Sequence, residues 1–503
     1  MTEQLNTAYE HPVTQTAAAP AEKAHKVPFT APVGHWTRAL FFLLSLSLLG
    51  LHCPLGYLFV PLAMLNSFVK DRYDFLMQCI LAGGGYAFFR VNELPVGPPD
   101  IVLAVSLIGI AIYKRNHLIN KICLGMAAYF AVLIAMALLS EEKMSVQFRL
   151  MRGYFMIVSF IIPLLVFSGR KFDIMRFSHK AMIYSFIACG FYIVDAFILE
   201  GHVLIPAIHM WGFDEDARST WLNPIMHPFT FNFPRKYPQS LYILAFCIIP
   251  VIRRYKLSRF QWAVIIIAII STRTMTFTAA LVVCYFIFLG KARQMIKYAL
   301  LGTVAFVGLY FVDSATGGFM RVQSTTDQFF ALSDAMDDED VAEFGSGRMA
   351  QWIPKYELLT DLNREWTGFG FLHPKYTTNP KYQIKNEYYE DVSKSEEVAT
   401  TVEVTQFQAI LDTGYIGLIA QTAFYLWVYA LIRRMRYSDI YLLMLIANTI
   451  FGVGGFAGLN VAQGLILQGA ALGMVLLLGL PRNAADRSPI DGETSSQPKL
   501  SQS

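Results

Sequence analysis

The sequence predicts an all-α protein, a polytopic transmembrane helical bundle of about 12–14 spans with one large loop on its outer side. Three observations carry that prediction. Of the 503 residues, 55% are hydrophobic and only 16% charged, with a mean hydropathy of +0.42. A soluble domain carries about a quarter charged residues. The apolar residues gather into runs of about 17–25, the length that crosses a hydrocarbon core of about 30 Å at about 1.5 Å per residue. Short clusters of Lys and Arg separate alternate runs.

Residues 1–35 are polar and Ala/Pro-bearing, unlike the short basic leader of a secretory signal, and predict a disordered cytoplasmic tail. The region 36–312 holds runs at Trp36–Cys53, Leu55–Val69, Phe75–Phe89, Ile101–Tyr113, Ile119–Leu139, Leu150–Phe167 and Ala181–Leu199. It continues with Tyr237–Ile252, Phe260–Ser271, Thr274–Leu289 and Tyr298–Val312. Ile101–Tyr113 and Phe260–Ser271 are short, so they are expected to tilt, re-enter or gain a turn. Residues 313–404 form a loop far longer than an ordinary connection. Three more spans follow within 405–480, at Thr405–Ile432, Ile440–Phe456 and Val461–Leu480, and 481–503 predict a second disordered tail.

Alternation of these runs puts Lys70, Arg72, Lys114, Arg115, Arg170 and Lys171 on one side, with Arg253, Arg254, Lys256 and Arg259. Lys291, Arg293, Lys297, Arg433, Arg434 and Arg436 join them, while the opposite short loops hold little more than Arg90 and Lys143. The excess of positive charge marks the cytoplasmic side, with both termini there. The segments from Glu200 to Lys236 and from Asp313 to about Glu403 then lie outside. The net charge of +4 is dispersed and carries no nucleic-acid signal. The six cysteines, Cys53, Cys79, Cys123, Cys189, Cys247 and Cys284, all sit in or beside apolar runs, which argues against a disulfide framework or a thiolate metal site.

Few outer residues offer chemistry. Arg273, in Ser271-Thr-Arg-Thr274 between two apolar runs, is costly at that depth unless paired or facing water, and its fork suits phosphate oxygens. The plainer reading is a side chain snorkelling to headgroups. Arg348 opens Gly345-Ser-Gly-Arg-Met-Ala-Gln-Trp352, ahead of an amphipathic helix with Met349, Trp352, Ile353 and Tyr356 on one face, expected along the membrane surface. The run Asp334–Glu343 lacks calcium-loop spacing and reads as solvated charge. Glu403, at the mouth of the run beginning at Thr405, suits either a helix N-cap or a general base. Trp211, Trp221, Trp352 and Trp366 fit sugar stacking or an interfacial belt. Asp195 is the main charge within an otherwise clean set of spans.

Three elements occur in order: Ser271-Thr-Arg273; Gly347-Arg348…Trp352 with Gly368-Phe-Gly370; and Gln408-Ala-Ile-Leu-Asp-Thr-Gly414-Tyr-Ile-Gly417-Leu418. Their order and membrane side resemble the O-antigen ligase and polymerase superfamily, membrane glycosyltransferases that use polyprenyl-diphosphate-linked sugars. The resemblance covers roughly Tyr237 to Ile432. It departs where the family's His-Asn opening falls on Glu403 and Val404.

The resemblance implies a bacterial inner-membrane enzyme whose large loop is periplasmic and which polymerises exopolysaccharide or O-antigen repeat units. Arg273 and Arg348 would hold and stabilise the diphosphate, Glu403 would deprotonate the acceptor hydroxyl, and Trp352 and Gln406 would contact substrate. It implies no nucleotide sugar, cofactor or metal. A chain-length regulator and a flippase are the partners that accompany such polymerases. A ligase moving finished glycan to a lipid or protein acceptor is the nearest alternative, and a polysaccharide flippase or transporter the alternative from another class.

Overall fold

The computed structural model describes residues 27–50, 53–82, 89–91, 94–96, 98–113, 117–198, 255–271, 352–373, 376–384, 397–399, 402, 404–435, 437–453 and 462–479, with scattered positions between 304 and 315. They are mostly helical: α1 (Val33–Gly50), α2 (Pro54–Lys70), α3 (Arg72–Ala82), α4 (Pro98–Tyr113), α5 (His117–Leu139) and α6 (Met144–Tyr154). A 3-10 turn, Phe155–Phe160, leads into α7 (Ile161–Val166), then come α8 (Ile174–Phe197) and α9 (Arg259–Ser271). A helix over 352–361 precedes α10 (Thr405–Ile432), α11 (Ser438–Val453) and α12 (Ala462–Gly479).

Among the described residues, three helical stretches are long and apolar enough to cross a membrane: His117–Leu139, Met144–Val166 and Thr405–Ile432. Several shorter helices are equally apolar, among them Leu55–Lys70 and Asp100–Ile112. On α2, Leu55, Leu58, Leu62 and Leu65 are 51%, 55%, 47% and 61% exposed. Their spacing makes one outward stripe, the reverse of a helix that turns its apolar face to a core and its polar face to water. A hydrocarbon surround satisfies such a stripe.

The expected span Phe75–Phe89 is corrected. Helix α3 ends at Ala82, and Phe89 opens a hairpin of β2 (Phe89–Val91) with β3 (Leu94–Val96). Eleven helical residues rise only about 16 Å, half a bilayer. The spans at 237–252 and 274–289, and most of 298–312, lie outside the described residues, as does the Asp195 side chain.

Helix α12 is the buried centre, packed on the 3-10 turn, α7 and α11. A Cβ on Gly469 would overlap Ser159 Oγ, and one on Gly473 would overlap the Phe160 carbonyl oxygen. Small residues four apart let the two backbones touch, which is how helices gain contact in lipid, where hydrophobic force between them is absent. Ser159 Oγ donates to Ile466 O, and Asn448 Nδ2 donates to Gly464 O and Gln468 Oε1. Gly473→Ala is expected to cost about 2–3 kcal/mol by overpacking, read as a lower unfolding temperature in nanodiscs; an unchanged temperature would refute the close crossing.

Two ends of the bundle are distinguishable. At one, β1 (Val27–Pro28) pairs in parallel with β4 (Tyr255–Lys256), Gln261 Nε2 donates to Phe29 O, and Arg72 donates to Val166 O. Asp173 N donates to Tyr73 Oη there. This end thus gathers the clusters around Lys70–Arg72, Arg170–Lys171 and Lys256. At the other, the α5–α6 turn meets the residues that precede α10.

The same basic end holds a charged cluster, of which only Arg38 falls inside an expected span. Arg38 of α1 lies 2.9 Å from Asp74 of α3, and Lys180 of α8 lies 2.9 Å from Asp74 and 2.7 Å from Asp71. Asp74 is fully buried.

Candidate functional site

Helix α10 is broken at Gly414, whose φ of 63° and ψ of −170° leave the helical region. The break releases two carbonyls and two amides from their helical partners, and buried backbone groups need replacements. The segment 365–370 supplies all four. Phe369 N donates to Leu411 O and Gly370 N to Asp412 O, while Tyr415 N and Ile416 N donate to Glu365 O and Trp366 O. The approach needs glycine on both sides. A Cβ on Gly414 would overlap the Trp366 carbonyl, and one on Gly368 would sit 2.5 Å from Thr413 N. Gly368 and Gly370 also take φ of 73° and 89°, where other side chains are strained.

The α5–α6 turn anchors this joint from below. Ser140 Oγ donates to Phe369 O, Gln147 Oε1 accepts from Phe371 N, and Arg364 donates to Leu139 O. Glu141 meets Lys381 at 2.7 Å and Arg364 at 3.9 Å. The hydrogen bond and charge of Lys381 hold the exposed Glu141 carboxyl below its usual range. Arg149 of α6 lies 3.8 Å from the centre of the Tyr376 ring, a cation–π contact. The antiparallel pair of β5 (Gln383–Ile384) and β6 (Glu397–Val398) packs against the joint through Tyr382, which accepts from Ala399 N at its carbonyl.

Buried in the joint is Asp412, 4% exposed. Its carboxylate accepts from Tyr154 Oη at 2.8 Å and from Gln408 Nε2 at 2.7 Å. Gln408 Oε1 in turn accepts from Val402 N at 3.2 Å. The first stretch of α10 is thereby tied to α6 on one side and to the chain entering it on the other.

Of the five residues singled out from sequence, Arg273, Arg348 and Glu403 lie outside the described residues. Trp352 and Gln406 both adjoin the first turn of α10, which brings them to one region. Trp352 stacks on Phe407 with ring centres 4.4 Å apart and planes 21° apart, and on Tyr356 at 5.1 Å. Tyr356 Oη meets Tyr415 Oη at 2.8 Å. The helix over 352–361 packs on α10, where Trp352 and Leu359 find a second apolar core with Phe369, Leu372 and Ile410. Gln406 Nε2 donates to Thr449 O of α11, while its Oε1 is buried with no protein partner among the described residues.

Sequence reasoning missed Asp412, Gln408, Tyr154 and the anchoring pair Ser140 and Gln147. Asp412 left a signal: a carboxylate two residues before a glycine inside an apolar run, which is expensive unless it is held by donors. Tyr154, Ser140 and Gln147 left none, since contacts across more than two hundred residues bring them there, and Gln408 showed only its spacing of four from Asp412. No protein-family model matches the chain, and no curated protein matches it in sequence.

Proposed function

We propose that the protein is a membrane glycosyltransferase that polymerises exopolysaccharide or O-antigen repeat units on the outer face of a bacterial inner membrane. The observation that carries this reading is the meeting of Gly368-Phe-Gly370 with Gly414. Two short motifs whose order resembles the O-antigen ligase and polymerase superfamily form one structural unit, with the residue stretch containing Trp352 packed beside it. The chemistry then belongs around the first turn of α10, where Glu403 precedes Val404 in the chain.

In this reading, an acceptor sugar hydroxyl of a lipid-linked repeat unit attacks the anomeric carbon of the growing glycan. The bond from that carbon to the diphosphate oxygen breaks, and polyprenyl diphosphate departs with the electron pair. Glu403 takes the hydroxyl proton. Arg273 and Arg348 answer the charge that develops on the leaving group. Trp352 and Gln406 line the approach of the sugars. The basic end faces the cytoplasm by the distribution of Lys and Arg, so the joint faces outward.

A transporter would require charged relays near the middle of several spans. Arg38, Asp74 and Lys180 instead lie in the first two turns of α1, α3 and α8, at one end of the bundle. That position favours the transferase.

Glu403→Gln is expected to abolish long polymer while single repeat units remain, read from the glycan of a deletion strain carrying the variant. Normal chain length would sink the role of Glu403. Full polymer that is made but left unattached in the deletion strain would point to a ligase instead.

A further inference from the structure

We infer that Asp412 is a positioning residue which, through the Gln408 amide, fixes the backbone of Val402 at the entry to α10, next in the chain to Glu403. The inference rests on the transferase reading for its consequence and on hydrogen bonding for its geometry.

The orientation of the Gln408 amide is dictated from both sides. An amide group offers one face that only accepts and one that only donates. Val402 N–H needs an acceptor, so Gln408 Oε1 must face it, at 3.2 Å. Gln408 Nε2 is then turned to Asp412 Oδ1, at 2.7 Å, and requires an acceptor there. A carboxyl oxygen is such a group, and the other oxygen of Asp412 meets the Tyr154 hydroxyl. Tyr154 belongs to α6 and Asp412 lies beside the Gly414 break, so the chain of bonds starts from the most constrained part of the site. It ends one residue before Glu403.

A relay of this kind differs from ordinary packing in being sensitive to donor and acceptor identity at constant shape. Gln408→Glu keeps the acceptor for Val402 but sets two carboxylates face to face. Two facing carboxyls stay in contact only by sharing a proton, so at alkaline pH the introduced carboxylate should swing away from Asp412 and free Val402. Adding Asp412→Asn supplies a donor to the introduced carboxylate, and the asparagine oxygen still accepts from Tyr154. The relay is rebuilt with its carboxyl moved from one end of the pair to the other. Two changes that are each isosteric should therefore compensate one another, which a merely structural role would not produce.

The test uses the full chain in nanodiscs together with a deletion strain carrying each variant. Hydrogen exchange at the Val402 amide reports the relay whatever the activity, and glycan length reports the function. Relative to the parent at the same pH, exchange at Val402 is expected to rise at least tenfold in Gln408→Met, and in Gln408→Glu at about pH 9, where the shared proton is lost. It should return to within threefold of the parent in the Gln408→Glu/Asp412→Asn pair. Polymer should shorten in Gln408→Met.

Unchanged exchange in Gln408→Met, or a pair no better than Gln408→Glu, overturns the relay. Exchange that moves as expected while polymer length stays constant in every variant overturns its role in placing Glu403. If Glu403→Gln itself makes normal polymer, the transferase reading fails, and the exchange data still decide the relay. Thermal unfolding of each variant separates these results from misfolding, and Gln408→Met, which keeps the side-chain volume, should unfold within a few degrees of the parent.

Discussion

Gly414→Leu is expected to undo the joint in α10 and to be among the most damaging single changes at that end of the bundle. A leucine at φ of 63° costs about 1–2 kcal/mol in backbone strain alone. Its side chain would also occupy the space of the Trp366 carbonyl, driving the 365–370 segment away. Four backbone hydrogen bonds would go with it, each contributing about 1 kcal/mol. The loss should reach about 5 kcal/mol, comparable to the total stability of many domains. Limited proteolysis should cut near 364–370 in the variant at protease levels that spare the parent, and the unfolding temperature should fall. Ile419→Ala, on a 60% exposed position of the same helix, should change neither. A Gly414→Leu protein as resistant as the parent would show that the joint is not needed.

Lys180→Met should be nearly as costly, at the opposite end. The lysine ammonium contacts Asp71 and Asp74 at 2.7 and 2.9 Å, and Asp74 has no exposure to water. Removing one member of a buried ion cluster leaves an uncompensated charge, which costs about 3–5 kcal/mol. Asp74→Asn in the Lys180→Met background should return part of that loss, the signature of coupled neighbours. The effect should depend on acidity. Burial pushes the Asp71 carboxyl up, but the hydrogen bond and charge of Lys180, with the Tyr73 amide and Arg38, outweigh it and hold the group below its ordinary value. A depressed carboxylate stabilises the fold above its unfolded titration range, and that contribution fades as pH falls through the folded value. Without Lys180 the depression shrinks, so stability should decline less steeply with acid than in the parent. Equal acid slopes in thermal unfolding would refute the coupling.

The helices were legible because an apolar run is the one signal a bilayer requires, and α1, α2, α4 and α5 fall where the runs do. Breaks inside runs were not. Residues 405–432 read as one apolar stretch, and nothing local to Asp-Thr-Gly at 412–414 announces that the helix stops and restarts. The stop is imposed by a partner segment far away in sequence, so only Gly414 itself hints at it. The 3-10 turn at Phe155–Phe160 was hidden likewise, although Gly469 and Gly473, four residues apart, were a readable sign that another backbone comes close. The charged cluster escaped for a different reason. Arg38, Asp74 and Lys180 each sit near a helix end, where a charge looks like an ordinary boundary residue until three such ends are brought together. The candidate site followed the same rule. Glycines and aromatics marked its region, but the polar chain from Val402 through Gln408 to Asp412 gains its anchor, Tyr154, only by tertiary contact.

The two-residue ladder between Val27–Pro28 and Tyr255–Lys256 sets a timetable. Its partners are separated by roughly 230 residues, and a ribosome adding about 5–20 residues per second needs about 10–45 s to travel between them. Through that interval the stretch around Phe29 and Thr30 has neither Lys256 nor Gln261 to receive it, though His179 of α8 arrives earlier. The first described strand of the chain thus waits until half of the chain has been made, and the bundle's basic end closes only after α1 to α8 exist.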